Sequence, residues 1–437
     1  MKISPVKSRA RRYRLRNGLR VIEIEKPGLM TASAFLLIKI GPRYEPPSQI
    51  GLSHFAEHAV FKGTREYPEP RLLARAVDLI AADLNATTHA EYTEFYGSAS
   101  RRHFQEMLEL LAELVLRPVF PSEEIEKEKG IVLDEIRQSC DSSGKVVNLD
   151  ELLLQLLWAD AYLHFVPTGT ERTVMRFNSR VMERFHRRYF VPSNAVLCCV
   201  GEFDGAGVRS GVERFFGGWS GSTRVRRNRL VLNRRGPSEC FRRFSAALAG
   251  AKLAFPACSF LDNRQMVVSI LSELIGGGAT SRLFLKLRED HGLVYDVGSS
   301  TSFFTDVGWL EIFASAEPDE LPKVLELIEE EIASIVRYGV GEEELRAVKE
   351  RLITTLEMIE DKADELAGWY AVRELLAPRR EVRSPVEEAE RVGSVSARRV
   401  LEGARKFLAP EMRKLALVGP LRKSHLEKAA GALRRDA

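Results

Sequence analysis

Apolar positions in the first half of the chain follow two periods. "YRLRNGLRVIEIE" (13–25) alternates apolar and polar on both sides of Asn17-Gly18, which predicts a hairpin closed by a type I′ turn. "TASAFLLIKIG" (31–41) reads as a buried strand, and "LNATTHAEYTEFYGSAS" (84–100), rich in Thr and aromatics, as another. Between them, 51–63 and 70–83 read as short helices. Apolar residues return at helical spacing over 102–117. Pro121-Ser122-Glu123-Glu124 then opens a long helix, with a cap residue and acids in its first turn, that runs to about Gln138. Helices over 147–158 and 178–188 and the strand "AVLCCVG" (195–201) complete this half.

Residues 217–236 are rich in Gly, Ser and Arg and read as a linker. The order of elements then recurs: strand 241–255, helices 264–275 and 281–288, strands 294–316, helices 319–336 and 342–373, helix 397–406, strand 413–419. "YFVPSNAVLCCVG" (189–201) and "KFLAPEMRKLALVG" (406–419) share aromatic, Pro, apolar strand and Val-Gly. Pro192 and Pro410, Val200 and Val418, and Gly201 and Gly419 are all separated by one and the same offset, half the chain length. This points to duplication: two tandem α+β domains of one fold, 1–216 and 237–437. Each is expected to hold a mostly antiparallel sheet covered by helices.

Composition excludes several classes. At 437 residues the chain is long enough for two domains, and 45% apolar residues supply full cores. A net charge of +4, with no aromatic-and-basic stripe, argues against a nucleic-acid partner. No apolar run reaches the roughly 18 residues of a membrane span. The five cysteines are odd in number and form no C-x-x-C, as in a reduced, cytoplasmic protein. The Arg-rich start superficially suggests a transit peptide. Only about ten residues precede the predicted hairpin, so it reads as a mature start without export.

Two of the eight histidines, His54 and His58, sit four apart in "GLSHFAEHAVFKGT" (51–64) with Glu57 between them. On a helix they share a face, and two neutral imidazoles so placed can hold one Zn²⁺. A carboxylate at Glu57 is suited to take a proton from a water there. H-x-x-E-H is the inverzincin arrangement. A catalytic zinc needs a third protein ligand. The helix at 122–138 offers many acids, of which Glu128 and Glu135 lie two turns apart on one face. Ile131, Val132 and Ile136 beside them predict partial burial, where a carboxylate needs a partner such as a cation.

"HFAEH", followed well downstream by the last Glu of "KEKGIVLDE" (127–135), resembles the pitrilysin-type zinc peptidases, among them insulin-degrading enzyme and the mitochondrial processing peptidase. The resemblance covers nearly the whole chain: "NGLRVI", "GPRYEPPSQIGLSHFAEHAVFKGT", "LNATTHAEYTEFY" and "GGGATSRLFLKLREDHGLVYDVGS" occur in the family's order. It implies His54, His58 and Glu135 as ligands of one zinc per chain, Glu57 as base and Glu128 as a supporting acid. It implies that an extended peptide adds to an edge strand at Asn85 and Ala86, and that Arg288 and Tyr295 grip it near the scissile carbonyl. A turn residue for Asn85, and a surface Arg with a strand aromatic for the pair, are the plainer readings of those residues. Ala59 and His89 depart from the family pattern; His89 reads as an ordinary edge-strand residue or a substrate contact. At the offset of the duplication His54, Glu57, His58 and Glu135 correspond to Ser272, Ile275, Gly276 and Ile353, so the second domain is expected to hold no metal.

The resemblance therefore implies a cytoplasmic zinc endopeptidase acting on peptides or unfolded segments in a closed chamber. The chain has the length of the short members, which resemble processing-peptidase subunits and pair. A homodimer is expected, with a heterodimeric processing enzyme as the alternative and a non-catalytic structural relative as a further one.

Overall fold

The computed structural model describes residues 9–203, 205–233, 236, 238–378 and 380–432. The expected mature start at residues 1–8, and Arg234 and Arg235 of the expected linker, lie outside them. In chain order the first half holds strands β1 (Arg9–Arg14), β2 (Arg20–Glu25) and β3 (Thr31–Ile38), then helices α1 (Leu52–Val60) and α2 (Pro70–Leu79). Strands β4 (Asp83–Thr88) and β5 (Thr93–Ser100) follow, then helices α3 (Phe104–Leu116), α4 (Ser122–Gln138), α5 (Leu149–Trp158), α6 (Glu171–Val174) and α7 (Ser179–Tyr189). Strand β6 (Ala195–Gly201) and helix α8 (Gly205–Phe216) close it. The second half holds β7 (Glu239–Arg243), β8 (Ala249–Ala257), α9 (Gln265–Gly276), a π-helical segment (Phe284–Asp290), β9 (Val294–Phe303) and β10 (Gly308–Ala316). After them come α10 (Leu321–Tyr338), α11 (Glu342–Ile359), α12 (Ala363–Leu376), α13 (Pro385–Gly393), α14 (Ala397–Phe407), β11 (Lys414–Gly419) and α15 (Lys423–Ala432).

The two sheets repeat one topology. The first runs β1-β2-β6-β3-β5-β4 and the second β7-β11-β8-β10-β9. In each, one parallel pair (β2 with β6, β7 with β11) is followed by antiparallel neighbours to the edge. The starts of β3 and β8, of α7 and α14, and of α8 and α15 are all separated by the offset that relates the matched Val-Gly endings. The fold is two similar α+β domains in tandem, as the sequence predicts.

The compact units are not two continuous stretches. One comprises 1–137, 163–229 and 358–385; the other 138–162, 230–357 and 386–437. Thus α5, from the first half, packs on β8 and β11, and α12, from the second half, packs on β3 and β6. In sequence α5 and α12 stand at matching places of the repeat, so the exchange is reciprocal. It explains the continuous apolar run of β6. Ala195, Leu197 and Cys199 face the core shared with α1, α3 and α7, while Val196, Cys198 and Val200 face α12. A strand buried on both faces loses its alternation. Cys198 and Cys199 thus point to opposite sides, both fully buried and unpaired.

Four elements differ from their sequence reading. The β1–β2 connection is the five residues Leu15–Leu19, not a two-residue type I′ turn. Gly18 N–H donates to Leu15 C=O, Leu15 N–H donates to Leu19 C=O, and Gly18 has φ +97°. Leu15 and Leu19 are both buried, which a two-residue loop would not allow, and Asn17 Nδ2 instead donates to the carbonyls of Phe216 and Trp219. Residues 84–100 form a hairpin rather than one strand, turning at His89–Tyr92; a single strand of that length would exceed ordinary strand lengths. Residues 342–373 break between α11 and α12 at Glu360, which is buried and paired with Lys26 at 3.0 Å. Residues 241–255 are two strands, β7 and β8.

Helix α1 begins without a side-chain cap of its own. Gly51 at its N-terminus has φ +96°, and a Cβ there would lie 2.7 Å from the Thr168 carbonyl oxygen. The amides of Gly51 and Ser53 donate instead to the carboxylate of Glu45, itself only 2% exposed. Burial pushes the Glu45 carboxyl up to about 7, against the downward pull of those amides. A folded-state pKa above the unfolded one means the folded chain holds a proton that the unfolded chain releases, so stability drops as pH rises through that window. The melting-temperature difference, wild type minus Glu45→Gln, should therefore fall by several degrees between about pH 5 and about pH 7 and then level off. A difference that grows with pH would mean the ionised form is what stabilises α1.

Candidate metal centre

The nine residues of α1 place His54 and His58 one turn apart, and the last turns of α4 bring Glu135 against them. The two imidazoles are 4.5 Å apart between ring centres, with Nε2 to Nε2 at 3.2 Å. Glu135 Oε2 lies 3.7 Å from His54 Nε2, and Oε1 lies 3.9 Å from His58 Nε2. One donor atom from each residue falls within 4.8 Å of the others. Among the described residues this is the one such convergence of three or more His, Cys, Asp or Glu side chains. Burial, aided by the neighbouring His58, pushes His54 down to about 3, so its imidazole is neutral and its lone pair available.

Glu128 does not join this set. It stands behind His58, 2% exposed, with Oε1 at 2.7 Å from His58 Nδ1 and Oε2 at 2.6 Å from Lys62 Nζ. Burial alone would raise its carboxyl, but His58 and Lys62 hold it below the usual carboxylate range. Burial likewise works to lower His58, yet Glu128, Glu57 and Glu135 lift it above the ordinary histidine value. With Nδ1–H donated to Glu128, His58 turns its Nε2 to the cluster, and with that nitrogen deprotonated this is the arrangement that metal-ligating histidines adopt. His54 Nδ1 is buried and has no hydrogen-bond partner among the described residues. The donor set is two imidazoles and one carboxylate with a fixed tautomer on one side, which fits a catalytic zinc.

Glu57 lies between the histidines in sequence but outside the donor cluster. Burial raises its carboxyl above the ordinary range, partly opposed by Thr88 at the end of β4 and by His58. β4 is the edge of its sheet. Asn85 is exposed there, its Oδ1 accepting the Ala86 N–H at 2.8 Å, while the Ala86 side chain is buried in the core. His89 is at the hairpin turn, 3.1 Å from Glu94, with its ring tilted against that of Tyr92 at 4.5 Å between centres. Ile131 is 48% exposed, so the burial expected around Glu128 and Glu135 comes from Ile125, Val132 and Leu133.

In the second unit, Arg288 lies in the π-helical segment and Tyr295 near the start of the edge strand β9. Arg288 Nη1 donates to the Tyr295 carbonyl at 2.9 Å and its guanidinium lies over Phe284, while Tyr295 is 75% exposed. At the positions matching the donors, Ser272 and Ile275 are buried and Ser272 Oγ is 3.0 Å from Ser299 Oγ. A Cβ on Gly276 would lie 2.5 Å from the Ser299 amide. Ile353 is half-buried among apolar neighbours. Sequence reasoning misses Lys62 and Glu45. Lys62 carries a findable signal: it stands four residues after His58, on the same helical face.

The family model described as Insulinase (Peptidase family M16) matches residues 20–164, and that described as Peptidase M16 inactive domain matches 176–352. An uncharacterized zinc protease of Bacillus subtilis is 28% identical over 410 residues, 94% of this chain and 98% of the other. One from Streptomyces coelicolor is 28% identical over 359 residues, 80% and 77% of the two chains. Among solved structures, a protease from Helicobacter pylori superposes with a TM-score of 0.86 at 18% identity, over 94% of this chain and all of that one. A Pseudomonas fluorescens structure described as a peptidase M16 inactive domain gives 0.85 at 17% identity, over 94% and 98%. Those structures speak for the fold, and the sequence matches for kinship. The repeated sheet, the two matched halves and relatives aligned over nearly the full length make this chain a short, two-domain member of peptidase family M16.

Proposed function

We propose that the chain is a zinc endopeptidase of the H-x-x-E-H type, with one zinc held by His54, His58 and Glu135. The convergence of those three donors, with Glu57 left outside them, carries the reading. Zinc bound there supplies Lewis-acid polarisation of a peptide carbonyl and of a water. Glu57 takes the proton of the attacking water and returns it to the leaving amine. Glu128 orients His58. The first domain, 1–216, is catalytic; 217–236 is a linker; the second, 237–437, is its inactive duplicate. An extended peptide docks on the open edge of β4 at Asn85 and Ala86, where main-chain bonds supply affinity without fixing sequence. Arg288 and Tyr295, both donors, hold it near the scissile carbonyl. Two copies pair as a homodimer around a peptide or unfolded segment. A cytoplasmic setting suits the five unpaired cysteines.

Elemental analysis of the purified chain should give one zinc, and Glu135→Gln should lose it; undiminished zinc in that variant would remove Glu135 from the ligand set. Glu57→Gln should keep its zinc while turnover drops roughly a hundredfold or more, because an amide cannot take the proton. Loss of metal in Glu57→Gln would instead make Glu57 a ligand.

If Arg288 and Tyr295 of one copy serve the zinc of the other, two inactive chains should rescue each other. A Glu57→Gln chain is mixed with one carrying Arg288→Ala and Tyr295→Phe. Random pairing makes about half the dimers mixed, each with one complete site of two, so activity should return to roughly a quarter of wild type. No recovery, with mixed dimers verified by mass spectrometry, would refute sharing.

A further inference from the structure

We propose that Lys62 is a positioning residue of the metal centre, acting through Glu128 to hold His58 as a ligand; this rests on the zinc reading above. Lys62 touches no metal donor itself. Its ammonium meets Glu128 Oε2 at 2.6 Å, while the other oxygen of the same carboxylate, Oε1, meets His58 Nδ1 at 2.7 Å. The two cationic or N–H partners thus divide the carboxylate, one oxygen each. Glu128 is 2% exposed, and a carboxylate so far from water requires compensation. A single imidazole N–H leaves one oxygen without a partner. Lys62 takes that oxygen and so leaves Oε1 free to hold the ring.

Lys62 is not a loose surface lysine. Its side chain is 24% exposed. Its amide donates to the Ala59 carbonyl at 3.1 Å, extending the last turn of α1. The next residue, Gly63, has φ +144°, and a Cβ there would lie 2.7 Å from the Pro68 carbonyl oxygen, so the chain leaves the helix along one path. Thr64 is fully buried, and its Oγ1 accepts the Tyr67 amide at 3.0 Å. Glu113 on α3, also buried, accepts the Glu66 amide at 2.9 Å and is held by Arg117 at 2.6 Å. The run "FKGT" after the histidines is therefore pinned at both ends, by α1 and by α3. That pinning makes Lys62 a fixed counter-charge. Without it the carboxylate has one unpaired oxygen and turns toward other donors. The His58 ring then loses the acceptor that aims its Nε2 at His54 and Glu135. The plain alternative is that Lys62 only places a positive charge near a cation site, in which case its removal would tighten zinc.

A double-mutant cycle on the metal-free full-length chain separates these, with zinc affinity read by competition against a chromophoric chelator. Lys62→Met should weaken zinc roughly tenfold, the usual scale for an outer-shell partner. In a Glu128→Gln background the same substitution should cost nothing further, because the group it acts through is gone. Lys62→Gln, which keeps a donor without the charge, runs the same cycle should the methionine variant fold poorly. Zinc binding in Lys62→Met as tight as wild type or tighter, or an equal loss in both backgrounds, overturns the proposal while leaving the metal site standing. Failure of the wild type to bind zinc, or a His54→Ala chain that binds it equally well, overturns the zinc reading and the proposal with it.

Discussion

A carboxylate almost wholly removed from water is the constraint on which the candidate site depends. Glu128 sits on a helix that begins far along the chain from the end of α1, and its two oxygens are taken by His58 and Lys62 of α1 and the turn behind it. Those contacts set the rotation of α4 against α1. Two turns further along the same face, Glu135 then arrives at the two Nε2 atoms. One buried acid therefore fixes both the tautomer of an imidazole and the approach of a third donor. A buried ion pair is weak support for stability as such, because desolvation offsets much of the attraction. Its value here is geometric.

Similar logic governs the entrance to α1. The helix starts at a glycine whose left-handed backbone offers no side-chain cap, so the first amides turn to Glu45, six residues upstream and buried. Acids are thus placed at both ends of a nine-residue helix, one receiving its free N–H groups and the other the imidazole near its last turn. A helix this short has little stability of its own and takes its position from its surroundings. Those surroundings supply it at both ends.

Much of this is legible in the sequence because it obeys local rules. His54, His58 and Glu57 declare themselves by helical spacing, and the duplication by Val-Gly endings that recur at one offset, half the chain length. What stays hidden depends on the third dimension. No periodicity shows that α12 covers β3 and β6, since the signal lies in strands that are apolar on both faces, such as Cys198 and Cys199 in opposite directions. The hairpin inside 84–100 escapes a sequence reading because "HAEY" lacks Gly, Pro and Asn. The α8 helix escapes it because three glycines mask the spacing of Val208, Val212 and Phe216. Glu128 and Glu135 stand out from an acid-rich helix by their shared face, but Ile131, offered as a sign of burial, faces solvent.

The duplicate also shows that a site needs room as well as ligands. At the matching positions, the residues of α9 offer no donors that could hold a metal, and the space is closed too. Gly276 stands where His58 does, and its Cα side is so close to β9 that a Cβ would meet the Gly298 carbonyl carbon at 2.6 Å and the Ser299 amide at 2.5 Å. Ser272, at the place of His54, is tied to Ser299 and buried. A side chain restored at Gly276 would run into that backbone, and one at Ser272 would have to displace the contact with Ser299. In the first half the equivalent face of α1, which also lies on an edge strand, β4, keeps His54, Glu57 and His58 half-buried, with Glu135 of α4 reaching the two imidazoles. The divergence of the two halves therefore lies in the side chains that this helix and its neighbour carry, and in how closely the edge strand approaches. Both helices lie on the edge strand of their sheet, α1 on β4 and α9 on β9, and both meet a later helix: α4 brings the Glu135 carboxylate to α1, whereas α11 brings the Arg351 guanidinium to Glu273 of α9 at 2.9 Å.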